Sequence, residues 1–298
     1  MYLIAGATGY IGGLLAEELA GAGREARCMA RAPERARGTL PDRCEVVRGD
    51  VLEPDTLDEA LAGVELAYYL VHSMGRGGDS GFAERDRRGA RNFAQACERQ
   101  GVERLVYLGG LGEGKSEHLR SRQETAEELA STGIPLTYFR AAIVIGAGSE
   151  SLRTIAYLVK RLPAMITPSW TDTRTQPIAA ADVTAYLAAA PDVPGSSGRE
   201  IEIGGPDVTT YGELLDLAAE ARGSRRRPRL GVPLLSPSLS SHWIGLVTPV
   251  DAGVARPLVE GLATETIVED DSGMALFDVE RTALRDAMAE AVPAALRS

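Results

Sequence analysis

The chain opens Met1-Tyr-Leu-Ile-Ala-Gly6-Ala-Thr-Gly9-Tyr-Ile-Gly12, and this stretch decides the fold. Tyr2 to Ala5 is a short apolar run, long enough for a buried parallel strand. Glycines follow at positions 6, 9 and 12, and an apolar, helix-prone run extends from Gly13 to Leu19. Strand, tight glycine turn and helix in this order form a phosphate cradle. Gly6 turns the chain sharply off the strand, Gly9 lets a pyrophosphate approach the backbone, and Gly12 lets the helix sit close on the sheet. The first helical N–H groups and the positive end of the helix dipole then face the phosphates. Gly6, Thr8, Gly9, Tyr10, Ile11 and Gly12 are therefore the expected diphosphate-binding residues.

Apolar strand-like runs alternate with amphipathic helix-like runs through the first half of the chain. Strands are predicted at Glu25–Ala30, Cys44–Arg48, Val64–Val71, Leu105–Leu108 and Leu136–Phe139. Helices are predicted at Leu14–Ala20, from Pro54-Asp55 through Leu61, at Glu84–Arg99 and at Arg122–Ala130. Gly21-Ala22-Gly23 and Thr132-Gly133 are stop signals. Ala90, Phe93, Ala94 and Cys97 share one helical face. Such alternation implies right-handed βαβ units and an α/β fold with a doubly wound parallel sheet.

The pattern weakens after Ile145. Gly146-Ala147-Gly148 reads as a turn and Ser151–Leu162 as a helix, with an irregular stretch from Pro163 to Gln176. Pro177–Ala179 and Glu200–Ile203 read as short extended segments with a helix from Asp182 to Ala189 between them. Thr210–Ala221 is a further helix with a threonine N-cap. Gly231–Pro257 holds Trp243, Ile244, Leu246 and Val247 and reads as a folded cap element. The expected division is a nucleotide-binding domain at 1–148 and a smaller mixed α/β lobe at 149–298, with segments at about 176–205 returning to the first sheet.

At 298 residues the chain can bury about 75% of the surface its unfolded form exposes. A net charge of −10 argues against nucleic acid or an acidic membrane as the main partner. No apolar run approaches the roughly 20 residues of a membrane helix. Cys28, Cys44 and Cys97 are odd in number and lack metal-site spacing, so reduced thiols in a cytoplasmic protein are expected. Met1 stands almost on the first strand and leaves no room for a signal peptide. His72, His118 and His242 lack metal-ligand spacing, so no metal is expected.

In a dinucleotide fold the residue ending the second strand selects the cofactor: an acid holds a ribose 2′-hydroxyl, an arginine accepts a 2′-phosphate. Here that strand ends Cys28-Met29-Ala30-Arg31, with Arg35 and Arg37 close behind. A guanidinium fork suits a phosphate dianion, so NADP(H) is expected over NAD(H). Asp50-Val51, at the tip of strand three, falls where an adenine ring would lie. Asp50 can accept from the exocyclic amine, or serve as a turn residue. Leu70, Val71 and His72 after strand four, Gly109 after strand five and Ala141 after strand six are expected to border the cofactor.

With these residues in hand, the sequence resembles the atypical and extended short-chain dehydrogenase/reductase superfamily, in its NAD(P)H-binding, NmrA-like branch. The resemblance rests on Gly6-Ala-Thr-Gly-Tyr-Ile-Gly12, Gly49-Asp50-Val51 and Val106-Tyr107-Leu108-Gly109-Gly110. It continues through Thr137-Tyr138-Phe139-Arg140-Ala141, Gln176-Pro177-Ile178 with Asp182-Val183, and Ile203-Gly204-Gly205-Pro206. It implies a Rossmann lobe, a C-terminal substrate lobe and a cleft between them. Catalytic members of the family carry a serine after strand five and a Tyr-x-x-x-Lys on the next helix. Here strand five ends in two glycines, and alignment on Ser121-Arg122 puts His118 at the tyrosine position and Arg122 at the lysine position. The usual triad is missing.

Hydride chemistry belongs to the cofactor; the protein binds, orients and stabilises charge. His118 is the candidate proton donor, with a surface residue as the alternative. Arg122 is the candidate to hold the ribose and offset an oxyanion, but it is no proton source. Ser73, Tyr157, Trp170 and Trp243 are candidates for a substrate wall, or plain packing residues. Three functions compete. The first is an NADPH-dependent reductase of a small, mostly apolar carbonyl, enone or imine compound. The second is a non-catalytic NADP(H)-binding redox sensor or regulator, and the third an epimerase or dehydratase with bound cofactor. The expected partner is a small-molecule substrate, on a monomer or homodimer.

Overall fold

The computed structural model describes residues 1–72, 81–112, 117–167, 169–231 and 264–297; the side chains of residues 117, 118, 166, 167, 169, 170, 230 and 231 are also outside that description. The chain runs β1 (Tyr2–Ala5), α1 (Tyr10–Gly21), β2 (Ala26–Ala30), α2 (Pro33–Ala36), β3 (Glu45–Arg48), α3 (Leu57–Leu61) and β4 (Leu66–Tyr69). It continues α4 (Phe82–Gln100), β5 (Arg104–Gly110), α5 (Glu117–Ala130), β6 (Leu136–Ala141), β7 (Val144–Ile145) and α6 (Glu150–Arg161). Then come β8 (Met165–Thr167), β9 (Arg174–Thr175), β10 (Ile178–Ala179), α7 (Ala180–Ala189), β11 (Glu200–Ile203), β12 (Thr209–Thr210), α8 (Tyr211–Ala221), β13 (Arg229–Gly231) and α9 (Leu284–Ala295).

Seven strands form one sheet in the order β11-β6-β5-β4-β1-β2-β3, and every pairing in it is parallel. This is the doubly wound Rossmann arrangement that the alternating pattern predicts. Because helices cover both faces, the strands bury both sets of side chains. Ile4, Tyr68, Val106 and Phe139 join Leu15, Leu19, Val183 and Leu187 under α1 and α7. Leu3, Ala67, Tyr69, Tyr107 and Tyr138 join Leu61, Ala90, Phe93, Cys97 and Leu129 under α3, α4 and α5. A third cluster gathers α6, α8 and α9 through Leu152, Val159, Leu214, Ala218, Met288 and Val292. Within it, α8 starts at a capping box between Thr210 and Glu213.

Glu200–Ile203 enters the main sheet beside β6, whereas Ile178–Ala179 pairs with β7 in a separate two-stranded sheet. β5 and β6 each run two residues beyond their predicted ends, to Gly110 and Ala141. The glycines end the apolar run without ending the hydrogen-bonded ladder, which needs only backbone. The cap read at Gly231–Pro257 lies outside the described residues beyond Gly231. Among the described residues no helix is long and apolar enough to cross a membrane. Cys28, Cys44 and Cys97 are buried and unpaired.

Candidate functional site

The glycine turn lies at the carboxyl edge of the sheet. Gly6 has φ +92°, a left-handed conformation, and a Cβ there would come 2.6 Å from the Leu70 carbonyl oxygen. Only glycine fits both demands. Gly12 is pressed onto Gly6 and Ala7, whose backbone an added Cβ would overlap. Gly9 and Thr8 are exposed, and a Cβ on Gly9 would meet nothing but the Gly6 carbonyl oxygen, at 3.2 Å. Gly9 is the N-cap of α1, with no side chain capping the helix and no acid in its first turn. The N–H groups of Tyr10, Ile11 and Gly12 precede the first intrahelical bond, from Gly13 to the Gly9 carbonyl at 2.9 Å. They are the orphan donors an anion satisfies. An open backbone cradle, uncapped donors and no competing carboxylate fit a dinucleotide diphosphate.

The expected border of the cofactor is assembled at the same edge. Leu70 donates its N–H to the Ala5 carbonyl at 2.8 Å, which lays Leu70 and Val71 against Gly6, with His72 exposed beyond them. Gly109 and Ala141 close neighbouring strands, and Leu111 donates its N–H to the Ala141 carbonyl at 2.8 Å. Arg140 clamps this end. Its guanidinium donates to the carbonyls of Gly110 at 3.3 Å and Gly112 at 2.9 Å, and pairs with Glu200 at 2.6 Å. Tyr10 reaches away from the turn and lays its ring on Gly146 and Gly148, tying the phosphate loop to the segment that leads into α6.

Arg31 follows β2 directly and is exposed, as is Arg35. Neither guanidinium has an ionic or hydrogen-bonded partner among the described residues, whereas that of Arg37 is held by Glu34 at 2.8 Å. Two guanidinium groups follow β2 without a partner among the described residues. Asp50 is half-buried and accepts the Leu52 N–H at 2.9 Å, so one of its oxygens serves the turn. Val51 packs against Gly89 of α4, and its carbonyl accepts from Asn92 at 2.8 Å.

His118 lies on α5, but its side chain is outside the description, as is that of Trp170 in the turn Ser169–Asp172. Ser73 and Trp243 are outside the described residues. Tyr157, half-buried on α6, lies under two cations, with Lys160 Nζ at 5.1 Å and Arg161 Cζ at 5.3 Å from its ring centroid. Arg122 reaches the α4–α5 face of the sheet, where its carbonyl accepts from the Tyr107 hydroxyl at 3.3 Å. Burial alone would lower its guanidinium, but Tyr107 and Asp86 outweigh that and hold it above the ordinary arginine value. Asp86 is itself buried on α4, with the Ser121 hydroxyl 3.5 Å away. Asp86 and Tyr138 belong to this polar cluster and were not among the expected site residues.

Residues 6–142 match the model of a family described as NAD(P)H-binding. A reductase of (4-alkanoyl-5-oxo-2,5-dihydrofuran-3-yl)methyl phosphate from Streptomyces griseus is 29% identical over 253 residues, covering 82% of each chain. The mitochondrial NADH dehydrogenase [ubiquinone] 1 alpha subcomplex subunit 9 of Arabidopsis thaliana is 26% identical over 284 residues, covering 90% of this chain and 70% of that one. The triphenylmethane reductase of Citrobacter sp., solved with NADP(H), superposes with a TM-score of 0.74 at 19% identity, over 97% of this chain and 99% of that one. Other solved structures of the same fold are complexes with NAD. Residues 6–142 thus resemble an NAD(P)H-binding domain, and the fold of the chain is shared with solved reductases and epimerases.

Proposed function

We propose that the protein is an NADP(H)-dependent reductase of a small, mostly apolar carbonyl, enone or imine compound. The observation that carries the cofactor choice is Arg31: an exposed guanidinium at the end of β2, unpaired among the described residues, with Arg35 beside it and no carboxylate at the strand tip. A charge-assisted, forked contact to a 2′-phosphate is the interaction such a group makes best. The bound dinucleotide would supply a hydride. The protein's own part is to hold the diphosphate on the N–H groups of Tyr10 to Gly12 and to place the substrate at the carboxyl edge near Gly109 and Ala141. The name of the Streptomyces relative supports a reductase, and the NADP(H) complex of the Citrobacter enzyme supports the same cofactor.

The absent serine, tyrosine and lysine favour a second reading, a nucleotide sensor without turnover, which the Arabidopsis relative also suits because it is named as a subunit. Calorimetric titration separates the cofactors, and a substrate panel followed at the NADPH absorbance separates the functions. NADPH should bind at least about tenfold tighter than NADH, and Arg31→Ala should cost about 1–2 kcal/mol of that preference while leaving NADH unchanged. Equal binding of the two cofactors would overturn the assignment. Tight NADPH binding with no turnover across small ketones, quinones, enones and imines would favour the sensor.

A further inference from the structure

Three phenols stand in register across the centre of the sheet, Tyr69 on β4, Tyr107 on β5 and Tyr138 on β6. Their ring centroids are 6.1 Å and 5.1 Å apart, and the second pair is stacked. The three hydroxyls have different surroundings. Tyr107 gives its hydrogen to the Arg122 carbonyl at 3.3 Å. Tyr69 reaches α4, where its hydroxyl lies 3.1 Å from the point a Cβ on Gly89 would occupy. Tyr138 leans toward the carboxyl edge, over Gly109. A Cβ at Gly109 would lie 2.6 Å from Tyr138 Cε2 and 2.8 Å from its hydroxyl oxygen.

Tyr138 is only 4% exposed, and its hydroxyl has no hydrogen-bond partner among the described residues. That oxygen is nevertheless not one of the unpartnered atoms sealed from solvent. A buried phenol that keeps its polar atom open and unbonded forgoes a contact that buried hydroxyls otherwise find. It does so beside the backbone position where the family pattern has a serine and this chain has glycine. Gly109 is what admits the ring, since any side chain there would collide with it.

We propose that Tyr138, presented from β6 over the bare backbone of Gly109, is the hydroxyl that meets the substrate oxygen, in place of the groups missing from β5 and α5. The inference rests on the reductase reading. In the step it serves, the coenzyme's hydride forms a C–H bond at the substrate carbon while the C=O π pair moves onto oxygen. That oxygen takes the proton of Tyr138, whose O–H bond breaks, and the resulting phenolate recovers a proton from water. Burial pushes the phenol above the usual tyrosine range, so it is protonated and a donor at neutral pH, while Arg140 and Arg122 pull the other way by favouring the transient phenolate.

Tyr138→Phe keeps the ring that packs on Tyr107 and removes the oxygen. With a carbonyl compound that the wild type reduces, kcat should fall about 10²- to 10⁴-fold, while KM, NADPH affinity and melting temperature stay within experimental scatter. A merely structural role would instead move the melting temperature and leave kcat. A readout independent of turnover is 19F NMR of protein labelled with 3-fluorotyrosine. The resonance missing from Tyr138→Phe should shift when NADPH is added, because a coenzyme held at the carboxyl edge would lie beside its hydroxyl. A resonance that stays in place, or a Tyr138→Phe enzyme as active as wild type, overturns the assignment and leaves the reductase reading intact. A wild type that binds NADPH but reduces nothing in the panel overturns both.

Discussion

Gly12 and Gly13 are neighbours in the first turn of α1, yet alanine should act in opposite directions at the two. At Gly12 the new methyl would stand 2.8 Å from the Gly6 carbonyl carbon and 2.9 Å from the Ala7 Cα, and closer still to the Gly6 oxygen. Carbon atoms rest at about 3.5–4.0 Å, so the helix would have to retreat by at least about half an ångström. No side chain can yield, because all three atoms are backbone, and α1 is pinned further along by Leu15, Ala16 and Leu19, all buried. Overpacking of this kind costs about 1–3 kcal/mol, or about 2–5 °C of melting temperature for a chain of this size. At Gly13 the methyl would meet only the Ala7 carbonyl oxygen at 3.6 Å, an ordinary contact. Alanine there gains up to about 1 kcal/mol of helix propensity. The retreat at Gly12 also carries the Tyr10–Gly12 donors away from the diphosphate. Loss of one charge-assisted hydrogen bond, about 1.5–3 kcal/mol, predicts at least about a tenfold weaker NADPH affinity for Gly12→Ala and none for Gly13→Ala. Urea denaturation and calorimetric titration of the two variants decide the matter. Equal stability, or equal affinity, would refute the claim that contact between α1 and the glycine turn sets the cradle.

Two further predictions concern how the carboxyl-terminal part is held. Asp182, buried on α7, accepts the Thr282 N–H at 2.8 Å and the Thr282 hydroxyl at 2.7 Å. Asp182→Ala should cost about 2–4 kcal/mol in urea denaturation, because it strands both donors of Thr282, and a cost under about 0.5 kcal/mol would contradict this. Glu213 is held below the ordinary glutamate range by the Thr209 hydroxyl and then by the Thr210 N–H in the capping box. A depressed folded-state pKa makes its contribution full above the unfolded-state value of about 4.3 and lost as pH falls through the folded one. Glu213 is exposed, so Glu213→Gln should lower stability at pH 7 by no more than about 1 kcal/mol. The gap to wild type should close below about pH 4, and a gap constant with pH would count against the charged cap.

Local rules made the nucleotide half of the chain legible. The strand–glycine–helix order, the apolar runs and the arginine at the end of β2 each depend on residues within a few positions of one another, and the structure has these elements in the predicted order. Strand ends were less legible, because Gly109-Gly110 interrupts the hydrophobic pattern while the backbone ladder runs on through it. Arg140 lies in a stretch that carries the family resemblance, but its clamp on Gly110 and Gly112 depends on the register of β5 against β6, which no local pattern encodes. The phenol row is a stronger instance. Tyr69, Tyr107 and Tyr138 sit in three different strands, and all three are buried. That they share one face, and that Gly109 on β5 leaves room for the third ring, follows only once three parallel strands are aligned. The space a Gly109 side chain would take is filled by the Tyr138 ring, a relation between two strands that no local pattern carries.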